Sequence, residues 1–361
     1  MESTDTERPR RISRRRPPLF ATAMLALAIL TAWNVTRSDA LDRAEHAYNR
    51  VDLPGCLGHA LDHLDRRPWS REAARLAALC LSRLDFADRA EPFYARAGRL
   101  SLADRQVRAF GLVRSPHPER AIPAYREILE DDPTNITAMR RFAAVLLAEN
   151  DKDELLRLAE RLDGVEGGAV LGAMLRGTVY HNDENPQRAV EAFETVLRLD
   201  PGLEQMPASR SLFWRQLTED LVECGRLEDS ARYLIRALES ARDPELVARL
   251  AQTYFLRGDL DQAVRYFRES AESDPTLSAP LVGLARIALQ RGRPTEALPE
   301  LERARMLDPH NHAVLYSLAL TYRQLGRAAD SDRVRLEMDQ IRSESTRTPS
   351  DPHPQWPRHA L

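Results

Sequence analysis

Ala90-Glu-Pro-Phe-Tyr94-Ala-Arg-Ala97, Ala121-Ile-Pro-Ala-Tyr125-Arg-Glu-Ile128 and Ala297-Leu-Pro-Glu-Leu301-Glu-Arg-Ala304 state one phrase three times. A small residue comes first, a proline two places on, a bulky apolar residue four places on, and an apolar one seven places on. Other marks recur at a fixed interval. Gly258, Gly292 and Gly326 are 34 residues apart, as are Pro275 and Pro309; Pro133 and Pro201 are 68 apart, twice that period. Self-similarity at this period signals stacked helical hairpins. Such an array has no single central core. Each hairpin buries its face on its neighbours, and stability is close to a sum of nearest-neighbour terms.

The clearest copy runs from 244 to 277. Its first helix carries an apolar stripe, Val247, Leu250, Ala251 and Tyr254, at helical spacing. Gly258 reverses the chain, and Ala263, Phe267 and Ser270 mark the second helix before Asp274-Pro275. The next copy repeats the scheme with Leu281, Leu284, Ala285, Gly292, Ala297, Leu301, Ala304 and Pro309. Prolines 92, 123 and 299 are expected near the start of second helices, where a missing amide is tolerated.

These offsets resemble the tetratricopeptide repeat. The resemblance covers residues 41–342, with units near 41–68, 69–101, 102–135, 136–169, 170–203, 209–243, 244–277 and 278–311, then a partial unit, 312–342. It implies an all-α, right-handed superhelical solenoid of antiparallel helix pairs. The first unit is marked only by Gly55 and Ala60, the fifth has Glu184 where glycine is usual, and residues 202–209 are an insertion. The last helix, 328–342, is expected to be a polar cap with Val334, Met338 and Ile341 as its seam. Residues 343–361 are rich in Ser, Pro and Arg and are expected to be disordered.

The N-terminus points to a membrane. Residues 1–16 form a basic segment with six arginines, expected to stay cytoplasmic. Residues 17–36 carry no charge; as a helix they would cross about 30 Å of hydrocarbon. That length favours an uncleaved transmembrane signal-anchor over a signal peptide. Ser38-Asp39-Ala40 is the cleavage site in the second reading. Either way the repeats would lie on the extracytoplasmic side. Arginine almost to the exclusion of lysine (Lys152 stands alone) suits a GC-rich bacterial genome.

Charge excludes nucleic acid as the expected partner. Residues 1–16 carry a net +3 against −3 for the whole chain, so the remainder carries −6. Phosphate binding needs a basic stripe, and the repeats are mixed in sign. Three widely spaced cysteines, Cys56, Cys80 and Cys224, make no disulfide framework. Cys56, His59 and His63 share one helix face, but ligands strung along one helix do not surround an ion, so no metal or cofactor is expected. No motif localises a nucleophile or a phosphate loop, and no enzymatic activity is expected.

What remains is recognition. The resemblance implies that the second, fifth, ninth and twelfth places of each first helix line a concave groove. Those residues include Arg75, Gln106, Phe110, Arg140, Met174, His181, Gln252, Phe255, Arg286, Tyr316 and Arg323. Arginines, amides and aromatics suit an extended peptide with acidic character. The expected role is a membrane-anchored scaffold that binds other proteins. An envelope assembly or quality-control factor holding secreted chains is the alternative. The oligomeric state is left open.

Overall fold

A computed structural model describes residues 39–206 and 209–347, with side chains to 342. The described residues form eighteen α-helices and no strand. The apolar run 17–36 and the end of the tail, 348–361, lie outside them. Among the described residues, no helix is long and apolar enough to cross a membrane.

The chain divides into two compact units, Met1–Asp131 and Asp132–Leu361. The first contains three hairpins: α1 (39–49) with α2 (Leu53–Arg66), α3 (Arg71–Arg83) with α4 (Ala87–Ala97), and α5 (Leu102–Val113) with α6 (Ala121–Asp131). The second contains six. These are α7 (Ile136–Ala148) with α8 (Lys152–Asp163), α9 (Ala169–Asn182) with α10 (Pro186–Leu199), and α11 (Arg210–Glu223) with α12 (Leu227–Ser240). Then come α13 (Pro244–Arg257) with α14 (Leu260–Ser273), α15 (Ala279–Gln290) with α16 (Pro294–Leu307), and α17 (His312–Gln324) with α18 (Ala328–Arg347).

One backbone device sets the period. The turn from first to second helix passes through a left-handed residue, which satisfies the last carbonyls of the first helix. In the last four hairpins that residue is Gly225, Gly258, Gly292 or Gly326. In four earlier hairpins the same place holds Val51, Asp85, Asn150 and Glu184, at φ 62, 66, 55 and 53°. Side chains in this region cost about 1–2 kcal/mol each, so packing on either side must hold these turns. Glu184 therefore does glycine's work without being glycine. The third hairpin cannot use the device because Pro116 occupies the place. There Ser115 bonds the Leu112 carbonyl at 2.7 Å and accepts from the His117 amide at 3.2 Å, and a 3-10 turn, Pro118–Arg120, leads into α6.

The turn also corrects the first unit. Gly55 was expected to reverse the chain and Ala60 to fill the small place. Instead Val51 makes the turn, and the register moves by four residues. Cys56 then takes the small place, with Ala60 and His63 following at core positions; all three are buried.

Small residues recur where paired helices touch. Ala90, Ala121, Ala189, Ala263 and Ala297 are fully buried. One turn further along the same helices stand the bulky Tyr94, Tyr125, Phe193, Phe267 and Leu301, also buried. The proline expectation holds in part. Pro123 lies in the first turn of α6, whereas Pro92 and Pro299 lie inside α4 and α16. Those two helices begin five residues earlier than the proline. Each proline removes one ladder bond, on an exposed face where water can meet the freed carbonyl.

The insertion at 202–209 is an ordered connection in its described part. The Asp200 carboxylate accepts from the amides of Glu204 at 3.0 Å and Gln205 at 2.7 Å. Leu203 turns into the core between α10 and α11, beside Phe213 and Leu217. At the C-terminal end, Val334 and Met338 are buried and Ile341 packs beside them, as expected of a cap. The helix runs on to Arg347, five residues beyond its expected end.

Candidate functional site

The candidate groove residues do not form one surface. The structure sorts them by what they touch. In the first unit, Arg75 is an internal tie. Its guanidinium bonds Glu72 at 2.5 Å and reaches Asp104 on α5 at 3.0 Å. Asp104 is nearly buried and also closes the capping box of α5 with Ser101. Glu72 above all, with Asp104, pushes the Arg75 guanidinium further above its already high range. Arg75 thus joins two first helices and has little capacity left for a ligand. Gln106 and Phe110 are half-buried and exposed respectively, with Arg114 over the Phe110 ring at 5.6 Å.

In the second unit two candidates are consumed by structure. Met174 is a correction: it is buried in the cluster that includes Phe193, Phe213 and Trp214, so it lines no surface. His181 on α9 bonds Asp220 on α11 through Nδ1 at 2.9 Å. That bond raises the imidazole above its ordinary value, against the opposing pull of burial. The other Asp220 oxygen has no partner among the protein atoms.

Gln252, Phe255, Arg286, Tyr316 and Arg323 lie along a strip on α13, α15 and α17, which pack successively, each on the next, while Arg140 stands apart on α7. Arg286 of α15 lies over the Phe255 ring of α13 at 4.8 Å. Cation–π contact of this kind positions the guanidinium and leaves its hydrogen-bonding edge open. Gln252 lies one turn away from Phe255 and is half-buried. On α17, Tyr316 is 61% exposed. Arg323 is exposed and, like Arg286 and the earlier Arg140, forms no ion pair among the described residues. Several arginines on the turns and second helices are tied to a carboxylate, as Arg226 is to Glu194 and Asp229, and Arg305 to Glu337. The strip is therefore basic and aromatic, with donors unspent.

Sequence reasoning missed three neighbours. Leu256, beside Phe255, is 44% exposed. Arg215 lies on α11, where a shallow cavity of about 160 Å³ is lined by Ser211, Leu212, Arg215, Asp243, Glu245 and Leu246. Arg249 on α13 is held below its usual value, first by burial and then by the like charge of Arg215, although Glu219 at 3.4 Å pulls the other way. The insertion hid the register of this hairpin, but Gly225, 33 residues before Gly258, was the available signal.

The cysteine and histidines of α2 do not share one open surface: His59 is half-buried, whereas the other two lie in the core. Cys56 and His63 are buried core residues, and among the described residues no group of three or more His, Cys, Asp or Glu side chains is placed to hold a metal. Cys80 is buried as expected of a core residue. It shares a buried cluster with Cys56, which the spacing in sequence did not suggest.

Comparison with known proteins agrees with the hairpin geometry. Residues 173–203, 219–278 and 282–331 match tetratricopeptide repeat family models. The chain is 24% identical over 222 residues to Tetratricopeptide repeat protein 8 of Caenorhabditis elegans, covering 56% of this chain and 42% of that protein. It is 22% identical over 159 residues to a BBSome complex member BBS4 homolog of Drosophila melanogaster, covering 44% of this chain and 32% of that protein. It thus spans less than half the length of either relative. Among solved structures, YrrB, described as a TPR protein with an unusual peptide-binding site, is 22% identical at a TM-score of 0.45, covering 54% of this chain and 97% of that one. A MamA crystal structure is 14% identical at a TM-score of 0.40, covering 52% of this chain and 100% of that one.

Proposed function

We propose that this chain is a protein-binding scaffold whose repeats hold extended, acidic segments of partner proteins. The observation that carries the reading is the strip on α13, α15 and α17. Arg286 is positioned on Phe255 while its edge stays free, and Tyr316 and Arg323 stand exposed on the next first helix. An acidic side chain or a chain-terminal carboxylate meets Arg286 or Arg323 in bidentate fashion. An apolar residue beside it lies against Tyr316 or Leu256. The flanking aromatic surface desolvates the pair, where such contacts contribute most. Arg140, further along the second unit, offers another free guanidinium.

The tether in this reading is the uncharged run 17–36, with the arginines of residues 1–16 holding the N-terminus in the cytoplasm and the repeats on the far side. Its role is to concentrate partners at a membrane surface; catalysis is not part of the reading.

The test is capture from detergent-solubilised membranes with the whole chain as bait, beside an Arg140→Glu/Arg286→Glu bait. One or two proteins retained by the native bait and lost by the variant support the scaffold. A broad set of secreted chains retained equally by both baits overturns the strip and favours a quality-control role.

A further inference from the structure

Trp69 is 74% exposed, yet the turn that carries it is fixed from several sides. Where α2 ends, the Arg67 amide donates to the His63 carbonyl at 2.8 Å, and the Ser70 amide to the Arg67 carbonyl at 3.0 Å. The Ser70 hydroxyl accepts from the Ala73 amide at 3.4 Å and caps α3. From α4, the Arg96 guanidinium donates to the Pro68 carbonyl. A large amphipathic ring of a kind that is usually well buried is thus held outward on an ordered turn.

Two arginines flank it. Arg71 opens α3 and Arg99 follows α4, and the Arg71 stem passes so close to Gly98 that a Cβ added there would stand 3.8 Å from its Cδ. Both arginines are exposed, and neither forms an ion pair among the described residues. The turn also lies at the end of the hairpin where the chain enters. Residues 50–52 join α1 and α2, which run antiparallel, so the end of α2 returns to the level of Asp39. The uncharged run 17–36 stops three residues before Asp39, and three residues reach about 10 Å at most. A bilayer crossed by that run lies beside the Trp69 turn. Val51, at the other end of α1, is about 16 Å further along the helix.

We propose that the Trp69 turn is a lipid contact: the indole sits at headgroup level in the bilayer that residues 17–36 cross, and Arg71 and Arg99 hold phospholipid phosphates. An indole suits that depth because its ring is apolar and its N–H finds an acceptor among the headgroups. A guanidinium matches a phosphate with two parallel hydrogen bonds. The contact orients the first unit on the membrane, which a tether alone leaves free to turn. The inference rests on the tether of the proposed function and is independent of the strip on α13, α15 and α17.

The test uses the full chain in vesicles of phosphatidylcholine with one quarter phosphatidylglycerol. An environment-sensitive fluorophore (nitrobenzoxadiazole) is attached through Trp69→Cys or, separately, Val51→Cys, both in a Cys224→Ser background. Cys56 and Cys80 are buried and stay unlabelled, whereas Val51 is 68% exposed at the far end of the same hairpin. The expected result is a blue-shifted emission at position 69 that lipids carrying a headgroup nitroxide quench, with little shift or quenching at position 51. Arg71→Glu with Arg99→Glu should reduce the quenching at 69. Equal quenching at both positions, none at 69, or a blue shift at 69 that the nitroxide lipids leave unquenched, as a second protein copy over the turn would give, overturns the proposal. An alkaline wash separates this failure from that of the tether: a chain that stays with the vesicles keeps the tether, and one that washes off overturns the tether and the contact together.

Discussion

Replacing Gly177 by alanine tests the close packing that defines each hairpin. An added Cβ would stand 2.4 Å from Cε1 and 2.5 Å from Cδ1 of Phe193. Ordinary contact begins near 3.4 Å, so the ring or the helix must move by about 1 Å or more. Phe193 has nowhere to go: it is fully buried, and its ring meets Phe213 edge-on at 5.5 Å and 87°. Overpacking of this kind costs about 1–3 kcal/mol. Against it, alanine is the better helix former by about 1 kcal/mol. The net effect is a loss of about 0–2 kcal/mol.

Gly58→Ala is the matched control. Gly58 lies in α2, is exposed, and has no atom within 4 Å of an added Cβ. Only the propensity gain remains there, about 0.5–1 kcal/mol of stabilisation. Amide hydrogen exchange read by mass spectrometry, on α9 and α10 for one variant and α2 for the other, measures each locally. The two variants should differ by about 1–3 kcal/mol with opposite tendencies. Equal stabilisation by both would refute the packing argument.

Other outcomes follow from the same structure. Gly258→Ala puts a side chain at φ 83° in otherwise open space, so chemical denaturation should show a loss of about 1–2 kcal/mol from backbone strain alone. Phe193→Ala should cost about 3–5 kcal/mol, and exchange should quicken in α9, α10 and α11 while α17 and α18 keep their protection. The His181–Asp220 bond raises the folded pKa of His181 above its unfolded value of about 6.5. Its contribution is therefore complete below that pH and is lost as pH rises through the folded value. The stability gap between the native chain and His181→Gln should be widest near pH 5.5 and narrow at higher pH, in denaturant titrations at several pH values.

The period was legible because the last hairpins obey one rule with the same residue: Gly258, Gly292 and Gly326 mark a backbone demand. It blurred where other residues meet that demand. Val51 gives no sign of adopting a left-handed turn, so Gly55 drew the register away by four places. Side-chain fates were less visible still. Arg75 reads as a free cation until Asp104, 29 residues on, is found beside it. Met174 reads as groove lining until the aromatic start of α11, Phe213-Trp214, shares its cluster. Both depend on contacts between hairpins, which a repeat alignment of single hairpins does not contain. By contrast Phe255, Arg286, Tyr316 and Arg323 come from the units marked by Gly258, Gly292 and Gly326, and there Arg286 lies over the Phe255 ring while Tyr316 and Arg323 are exposed.

The central claim is that partners lie along the strip of α13, α15 and α17. Site-specific photo-crosslinking in intact cells tests it most directly, with a benzophenone amino acid at Tyr316 and, separately, at Met306. Both places are well exposed, at 61% and 77%, but Met306 is on a second helix, α16. A discrete crosslinked protein from position 316, absent from 306 and lost with Arg286→Glu, is the predicted result. Equal crosslinking from both positions, unaffected by Arg286→Glu, would contradict the account.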